Sequence, residues 1–212
     1  TAPCPAPAAN RVIKFVTGNK HKLAEVRSFL AAAGSSVEVE AISFDLPEIQ
    51  GGCAKEIVKA KCQEAIRILP PGTAILVEDT SLSFAAFEYR LPGPYVKWFL
   101  QAGDGRNNMC RMLDGFAATP AGRKARAECL FAFADGSGGE PIVIEGYCHG
   151  QIVEQPRGPP NFGWDCIFEP RGFDQTYAEL DPATKNRISH RAVALGRVIE
   201  YIQTGTLSAL PE

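Results

Sequence analysis

A polar segment between a predicted strand and a predicted helix has the residue types that hold a polyphosphate. It reads Thr17-Gly18-Asn19-Lys20-His21-Lys22. Glycine lets the backbone approach a ligand, and a helix N-terminus points N–H groups at anions. The segment is not a P-loop, because the second glycine and the Lys-Ser/Thr pair of that motif are missing. An ordinary strand–turn–helix connection with solvated lysines stays open as the alternative.

Carboxylates that suit a divalent cation occur at two places. Glu78 and Asp79 follow the apolar run Ala74 to Val77, and Glu48 follows Pro47. We expect the strand to end at Val77, directly before the two carboxylates, so that both lie at a sheet edge. Neighbouring like charges repel, and a cation relieves that repulsion. Mg²⁺ commonly binds through a few carboxylates together with substrate phosphate, which predicts a magnesium site here. A solvated strand end or a helix cap is the alternative.

Two lysines lie where they could reach a phosphate. Lys61 borders the apolar stripe of a predicted helix, and Lys97 is embedded in the run Tyr95-Val96-Lys97-Trp98-Phe99. Boundary lysines commonly bury their stems and keep the ammonium group in water, which is the alternative for both.

Two further segments have residue types that recognise a nucleobase. Phe162-Gly163-Trp164-Asp165 could sandwich a base between rings, with the carboxylate accepting hydrogen bonds. The basic run Lys185 to Arg191 is predicted to lie on one helix, so that Lys185 and Ser189 share a face, as do Asn186 with His190 and Arg187 with Arg191. Arg191 could present a planar fork to a purine carbonyl and N7. Aromatic core packing and a solvated basic face are the alternatives.

Hydrophobic periodicity and Gly/Pro positions predict the elements that must position these groups. Strands are expected at Arg11–Val16, Val37–Phe44, Thr73–Val77, Lys124–Ala134, Ile142–Val153 and Cys166–Phe168. Helices are expected at Lys20–Ala33, Ala54–Leu69, Tyr95 to about Leu113 with breaks at Gly103 and Gly105, and Pro182–Gln203 with Asp181 as N-cap. This order predicts an α/β fold with a mixed sheet flanked by helices. We expect one domain over residues 11–205, with tails at 1–10 and 206–212.

Composition excludes several classes of protein. The chain has 212 residues and a formal net charge of −2, whereas proteins held to DNA by phosphate contacts are usually strongly basic. It contains no apolar run near 18 residues, so we expect no membrane span. The seven cysteines form no CxxC pair, which favours a reducing compartment and a cytoplasmic protein.

Together these residues resemble the inosine triphosphate pyrophosphatase family in its eukaryotic form. The matching motifs are collinear between about residues 11 and 203. They are Thr17-Gly18-Asn19 with Lys22, Asp45-Leu46-Pro47-Glu48, Lys61-Cys62-Gln63-Glu64-Ala65, Val77-Glu78-Asp79-Thr80, Leu91-Pro92-Gly93-Pro94-Tyr95, Phe162-Gly163-Trp164-Asp165 and Ser189-His190-Arg191.

The resemblance implies an elongated fold with two lobes around a central cleft, and a homodimer. It implies hydrolysis of ITP, dITP and XTP to the monophosphate and pyrophosphate, which removes deaminated purines from the nucleotide pool. By the same resemblance, Mg²⁺, with Mn²⁺ as a substitute, would be held by Glu48 and Asp79, and catalysis would involve Asp79, Lys22 and Glu78. The implied substrate-binding residues are Thr17, Gly18, Asn19, Lys20, His21, Lys22, Lys61, Asp79, Thr80, Lys97, Phe162, Gly163, Trp164, Asp165, Lys185, Ser189, His190 and Arg191.

The sequence departs from the family pattern at two places, and two other functions stay open. Glu88-Tyr89-Arg90 occupies a loop that is shorter and richer in glycine in the family, and Pro159-Pro160 precedes the aromatic segment. A pyrophosphatase of related fold acting on pyrimidine or methylated nucleotides would need a different base pocket. A non-catalytic nucleotide- or RNA-binding module would gain nothing from the carboxylates, and the near-zero net charge also opposes RNA binding.

Overall fold

The computed structural model describes residues 12–44, 46 and 49–210. The predicted tail 1–10, the start of the first strand at Arg11 and the predicted metal ligand Glu48 lie outside these residues. The strands are β1 (Val12–Val16), β2 (Glu38–Ile42), β3 (Ile75–Phe84), β4 (Pro92–Gly93), β5 (Lys124–Ala134), β6 (Ile142–Ile152) and β7 (Phe168–Pro170). The α-helices are α1 (Lys20–Ala32), α2 (Ala54–Ile68), α3 (Val96–Gln101), α4 (Gly105–Met112), α5 (Pro182–Ile188) and α6 (His190–Thr204).

The strands form one mixed sheet in the order β2-β1-β3-β5-β6-β7, and β4 pairs with the far end of β3. β1 is parallel to both β2 and β3, whereas β5 is antiparallel to β3 and β6. The glycine-rich turn between β5 and β6 therefore closes a long hairpin. The sequence predictions of a mixed α/β sheet and of this hairpin are confirmed.

Three hydrophobic clusters divide the molecule into two lobes. In the first lobe, α2 packs on one face of the sheet, while α1 and α6 pack on the other. In the second lobe, α3 and α4 pack with the distal ends of β3, β5 and β6. The long strands run through both lobes, so residues at their centre lie between the two cores.

The predicted end of the third strand at Val77 is wrong. β3 continues through Glu78 and Asp79 to Phe84, and it pairs with β5 over this whole length. Leu82 and Phe84 are fully buried in the second lobe, which holds the polar middle of the strand in the sheet. The carboxylates therefore lie at the centre of a strand, between the lobes, and not at the edge of the sheet.

The predicted single helix over 182–203 is also wrong. It divides at Ser189, whose φ of −68° and ψ of 155° end α5 and begin α6. The Ser189 hydroxyl accepts a hydrogen bond from the Ala192 N–H at 3.2 Å, and thus caps α6. The Ser189 N–H still bonds to the Lys185 carbonyl oxygen at 2.9 Å, but the predicted helical face does not continue past Ser189 to Arg191. The prediction of Asp181 as N-cap of α5 is confirmed by its bond from the Thr184 N–H at 2.9 Å.

Smaller differences concern the other ends of elements. The residues predicted as a strand at Cys166–Phe168 form a 3-10 turn over Asp165–Ile167, and β7 follows it. In the described part of the chain, no helix is long and apolar enough to cross a membrane.

Candidate active site

A cleft of about 760 Å³ lies between the lobes and collects most of the predicted site residues. Those that line it are Thr17, Gly18, Asn19, Lys22, Lys61, Glu78, Asp79, Thr80, Lys97, Phe162, Gly163, Trp164, Asp165, His190 and Arg191. Lys20, His21, Lys185 and Ser189 lie beside the cleft and do not line it. Lys20 is exposed, whereas Lys185 and Ser189 are buried.

The polar turn between β1 and α1 directs a helix N-terminus at the cleft. The Asn19 carboxamide oxygen accepts hydrogen bonds from the N–H groups of His21 at 3.0 Å and Lys22 at 3.3 Å. Thr17 in turn accepts one from the Asn19 N–H at 3.1 Å. Gly18 between them is exposed, so its backbone can be approached from the cleft. This geometry suits an anion, as the sequence predicts.

Glu78 is the centre of a buried group of charges. Its Oε1 accepts hydrogen bonds from Arg191 Nη2 at 2.7 Å and Nε at 3.1 Å, and Lys22 Nζ lies 3.5 Å away. Burial alone would raise the pKa of Glu78, but Arg191 and Lys22 outweigh it and hold that pKa at about 2. Glu78 is therefore ionised at neutral pH. Its Oε2 is buried and has no hydrogen-bond partner among the described residues.

Glu25 completes this group, and the sequence analysis missed it. Arg191 Nη1 donates to Glu25, and Lys185 Nζ donates to Glu25 Oε1 at 2.8 Å and to Asp165 Oδ2 at 2.5 Å. Burial opposes ionisation of Glu25, but Arg191 and Lys185 still lower its pKa. The sequence does contain one indication that Glu25 belongs to the site. It lies three residues after Lys22, and therefore on the same face of α1.

Asp79 has a different environment from its neighbour Glu78. Because successive side chains of a strand point to opposite faces of the sheet, Glu78 faces α1 and α6, whereas Asp79 faces α2. Asp79 is half-buried, and burial raises its pKa although Lys22 and Lys61 oppose the change. Lys61 Nζ also donates to the Glu78 carbonyl oxygen at 3.3 Å, which fixes α2 against the centre of β3.

A divalent cation fits the chemistry of this part of the cleft. Asp79 supplies a hard oxygen ligand between positively charged neighbours. No group of three or more His, Cys, Asp or Glu side chains within the described ranges could hold a metal alone. A bound ion would therefore take its remaining ligands from water and phosphate, as Mg²⁺ commonly does. The predicted ligand Glu48 lies outside the described ranges and stays a prediction.

Aromatic side chains form the other end of the cleft. Trp164 is 6% exposed and packs against Phe168, Tyr177 and His190, with ring centroids 5.1 Å apart in the last pair. Phe162 is half-buried, and the ammonium of Lys185 lies 5.2 Å from its ring centroid. Burial, together with Arg191 and Lys185, lowers the pKa of His190 well below its usual value, so this imidazole is neutral. The predicted sandwich of a base between Phe162 and Trp164 stays a prediction.

The start of α3 lies at the mouth of the cleft and carries the predicted site residue Lys97. Trp98 is 52% exposed, and its indole N–H donates to Gln50 at 2.8 Å, which joins α3 of the second lobe to the segment before α2. Lys97 Nζ lies 6.0 Å from the centroid of the Trp98 ring. Other lining residues that the motifs did not contain include Ser43, Phe44, Ile49, Ile57, Leu100 and Gln101.

Comparison with known proteins identifies the family. The model of the Ham1 family matches residues 13–201. A protein of Emericella nidulans named inosine triphosphate pyrophosphatase is 48% identical over 192 residues, which are 91% of this chain and 97% of that protein. A HAM1 protein structure from Coxiella burnetii has a TM-score of 0.74 and 28% identity, covering 91% of this chain and 98% of the other. A nucleoside-triphosphatase / dITP/XTP pyrophosphatase structure from Mycobacterium abscessus has a TM-score of 0.63 and 32% identity, covering 89% and 97%. With this match over nearly the whole fold and the cleft, the chain belongs to the Ham1 family.

Proposed function

We propose that this protein hydrolyses the deaminated purine nucleotides ITP, dITP and XTP to the monophosphate and pyrophosphate, and so clears them from the nucleotide pool. One observation carries the proposal: a single cleft has an anion-binding helix terminus with Lys22, Lys61 and Asp79 at one end, and the aromatic pocket at the other. The names of the Emericella and Mycobacterium relatives support it.

At the phosphate end, Thr17, Asn19 and the two lysines Lys22 and Lys61 bind the triphosphate. Asp79 and Glu48 would hold Mg²⁺, or Mn²⁺ in its place, and the metal would supply Lewis-acid stabilisation of charge on the phosphate oxygens. Lys22 and Lys61 oppose the effect of burial on the pKa of Asp79 and favour its ionised form, which can orient the attacking water. The lysines neutralise the charge that develops on the leaving pyrophosphate.

At the base end, Arg191 is the principal donor to a 6-oxo purine. Bonds to Glu78 and Glu25 use three of its five N–H groups and fix the plane of the guanidinium. The remaining donors suit the oxygen of hypoxanthine or xanthine, whereas the exocyclic amine of adenine cannot accept them. Buried donors left without a partner discriminate strongly between such substrates. Phe162 and Asp165 bind the rest of the nucleoside.

We also propose that the protein is a cytoplasmic homodimer that does not bind nucleic acid. The resemblance to the inosine triphosphate pyrophosphatase family supports the dimer. The net charge of −2 suits one small polyphosphate better than a long polyanion. Sedimentation equilibrium tests the dimer directly, since a concentration-independent mass near 22.9 kDa would contradict it.

The proposed activity is tested with a panel of ITP, dITP, XTP, ATP and GTP in the presence of Mg²⁺. We expect pyrophosphate and monophosphate from the first three at much higher kcat/KM, and no turnover after a chelator is added. Equal rates on ATP and GTP would refute the proposal, and release of orthophosphate would mean that another bond is cleaved. Pyrimidine and methylated triphosphates in the same panel test the alternative pyrophosphatase.

A further inference from the structure

A second cavity of about 300 Å³ lies in the second lobe, away from the cleft. It lies over the face of β5, β6 and β7 that carries Lys124, His149, Gln151 and Glu169. Arg171, Phe173 and Tyr89 form its other walls. None of its lining residues belongs to the predicted active site.

The charge in this cavity is positive. Lys124 and Arg171 are exposed cations on its wall, and Arg126, which lies 3.9 Å from the Glu128 carboxylate, is beside it on β5. The carboxylate of Glu169 also lines the cavity, but it already pairs with Arg157 at 2.5 Å and accepts a hydrogen bond from Gln151 at 2.6 Å. Burial, followed by the charges of Arg171 and Arg126, lowers the pKa of His149, as expected where the local potential is positive.

The loop that carries Tyr89 is held in an unfavourable backbone conformation. Glu88 and Tyr89 have φ angles of 54° and 59°, a region that strongly favours glycine. This is the loop in which the sequence departs from the glycine-rich pattern of the family. The Tyr89 ring lies 5.2 Å from the guanidinium of Arg126, whose other ring neighbour is Tyr147 at 4.7 Å. The strained loop thus places an aromatic ring on the wall of a cationic cavity. Backbone strain of this kind occurs preferentially at ligand-binding and active sites.

We propose that this cavity is a second binding site, for a phosphomonoester of mononucleotide size. Arg171 and Lys124 bind the phosphate, and the half-buried ring of Tyr89 stacks on a planar base. Ala125 and Gly150 also line the cavity. The cavity volume of about 300 Å³ is of the size of one mononucleotide. The inference does not depend on the reaction proposed for the cleft.

Histidine NMR resolves the two sites within one sample. The chain has three histidines: His149 lines the second cavity, His21 lies 5.3 Å from Phe162 at the cleft, and His190 is buried beside it. The full-length protein is titrated with AMP, adenosine and inorganic phosphate, and the His149 ring resonance is followed. We expect AMP to shift this resonance and raise the pKa of His149, with higher affinity than phosphate, while adenosine has little effect.

Two substitutions and one matched control test the assignment. Arg171→Gln should weaken AMP binding, followed by the His149 resonance, about tenfold, because one charge-assisted hydrogen bond is lost. Tyr89→Gly removes the ring but suits the positive φ, and should reduce AMP affinity to that of phosphate. Glu88→Gly is the matched control. It relieves the positive φ of the residue next to Tyr89 but keeps the Tyr89 ring, and it should leave AMP binding unchanged.

Three results would overturn the proposal. The first is a His149 resonance that does not respond to millimolar AMP. The second is wild-type AMP binding in both Arg171→Gln and Tyr89→Gly. The third is a His149 shift that follows protein concentration without nucleotide, because a second copy of the chain would then cover the cavity.

Discussion

Removal of the Arg191 guanidinium should destabilise the fold in a manner that depends on pH. In the wild type, Glu78 has a pKa of about 2, against an ordinary value of 4.5. The gap corresponds to about 3 kcal/mol of stability at neutral pH. Loss of one partner from a buried ion pair costs about 3–5 kcal/mol in other proteins. We therefore expect Arg191→Gln to lower the free energy of unfolding by roughly 3–4 kcal/mol at pH 7.5.

The pH dependence follows from the sign of each pKa change. Because the folded-state pKa of wild-type Glu78 is depressed, its contribution is complete above about pH 4.5 and is lost only as pH falls toward 2. In Arg191→Gln, burial is opposed mainly by Lys22 at 3.5 Å, so the pKa of Glu78 should rise above its ordinary value. Such a group takes up a proton as pH falls from 7.5 to 4.5. The deficit of the variant should therefore shrink over this range.

The assay is urea unfolding at pH 7.5, 6.0 and 4.5, followed by tryptophan fluorescence. Wild type, Arg191→Gln, Glu78→Gln and the double variant form a cycle, and the neutral double variant should be more stable than additivity predicts by about 3 kcal/mol. A coupling energy below about 0.5 kcal/mol would refute the reasoning. A deficit of Arg191→Gln that is equal at pH 7.5 and 4.5 would also refute it.

Three other substitutions test separate parts of the site. Asp79→Asn should reduce ITP turnover by about a thousandfold and change Tm by less than about 3 °C; near-normal turnover would remove Asp79 from the mechanism. Arg191→Lys keeps the charge but loses the planar fork, so the ratio of kcat/KM for ITP over ATP should fall about tenfold; an unchanged ratio would place base discrimination elsewhere. Ser189→Ala should cost about 1 kcal/mol in urea unfolding by loss of the α6 cap; a loss no larger than that of the exposed control Ser137→Ala would contradict this.

The sequence predicted the layers of the fold but failed where polar residues are buried. Alternation and helical periodicity located β5, β6, α1 and α2 closely, because those elements have one apolar face. The same patterns failed to predict the full length of β3, because Glu78, Asp79 and Ser81 interrupt its apolar residues. Pairing with β5 nevertheless keeps the strand continuous. The break at Ser189 was missed for a related reason: Lys185 and Arg191 are buried by ion pairs, which no hydrophobic pattern records.

The candidate site was predictable as a set of motifs but not as a network of contacts. Motif order brought Lys22, Lys61, Asp79 and Phe162 together correctly, and the match to the Ham1 family confirms the resemblance on which their grouping rested. Glu25 belongs to no motif, and its importance appears only once α1 is packed against α5 and α6. A charged helix residue of this kind looks solvated in the sequence, because the partners that bury it are more than 150 residues away.

The charge network also links the two ends of the cleft. Lys22, Lys185 and Arg191 are matched by Glu25, Glu78 and Asp165, so the group is nearly neutral before substrate binds. In the function proposed above, a triphosphate that binds Lys22 would draw one of the two cations away from Glu78. Glu78 would then depend more strongly on Arg191, the proposed donor to the base. Phosphate binding and base selection would thus be coupled through one carboxylate that is buried between the lobes.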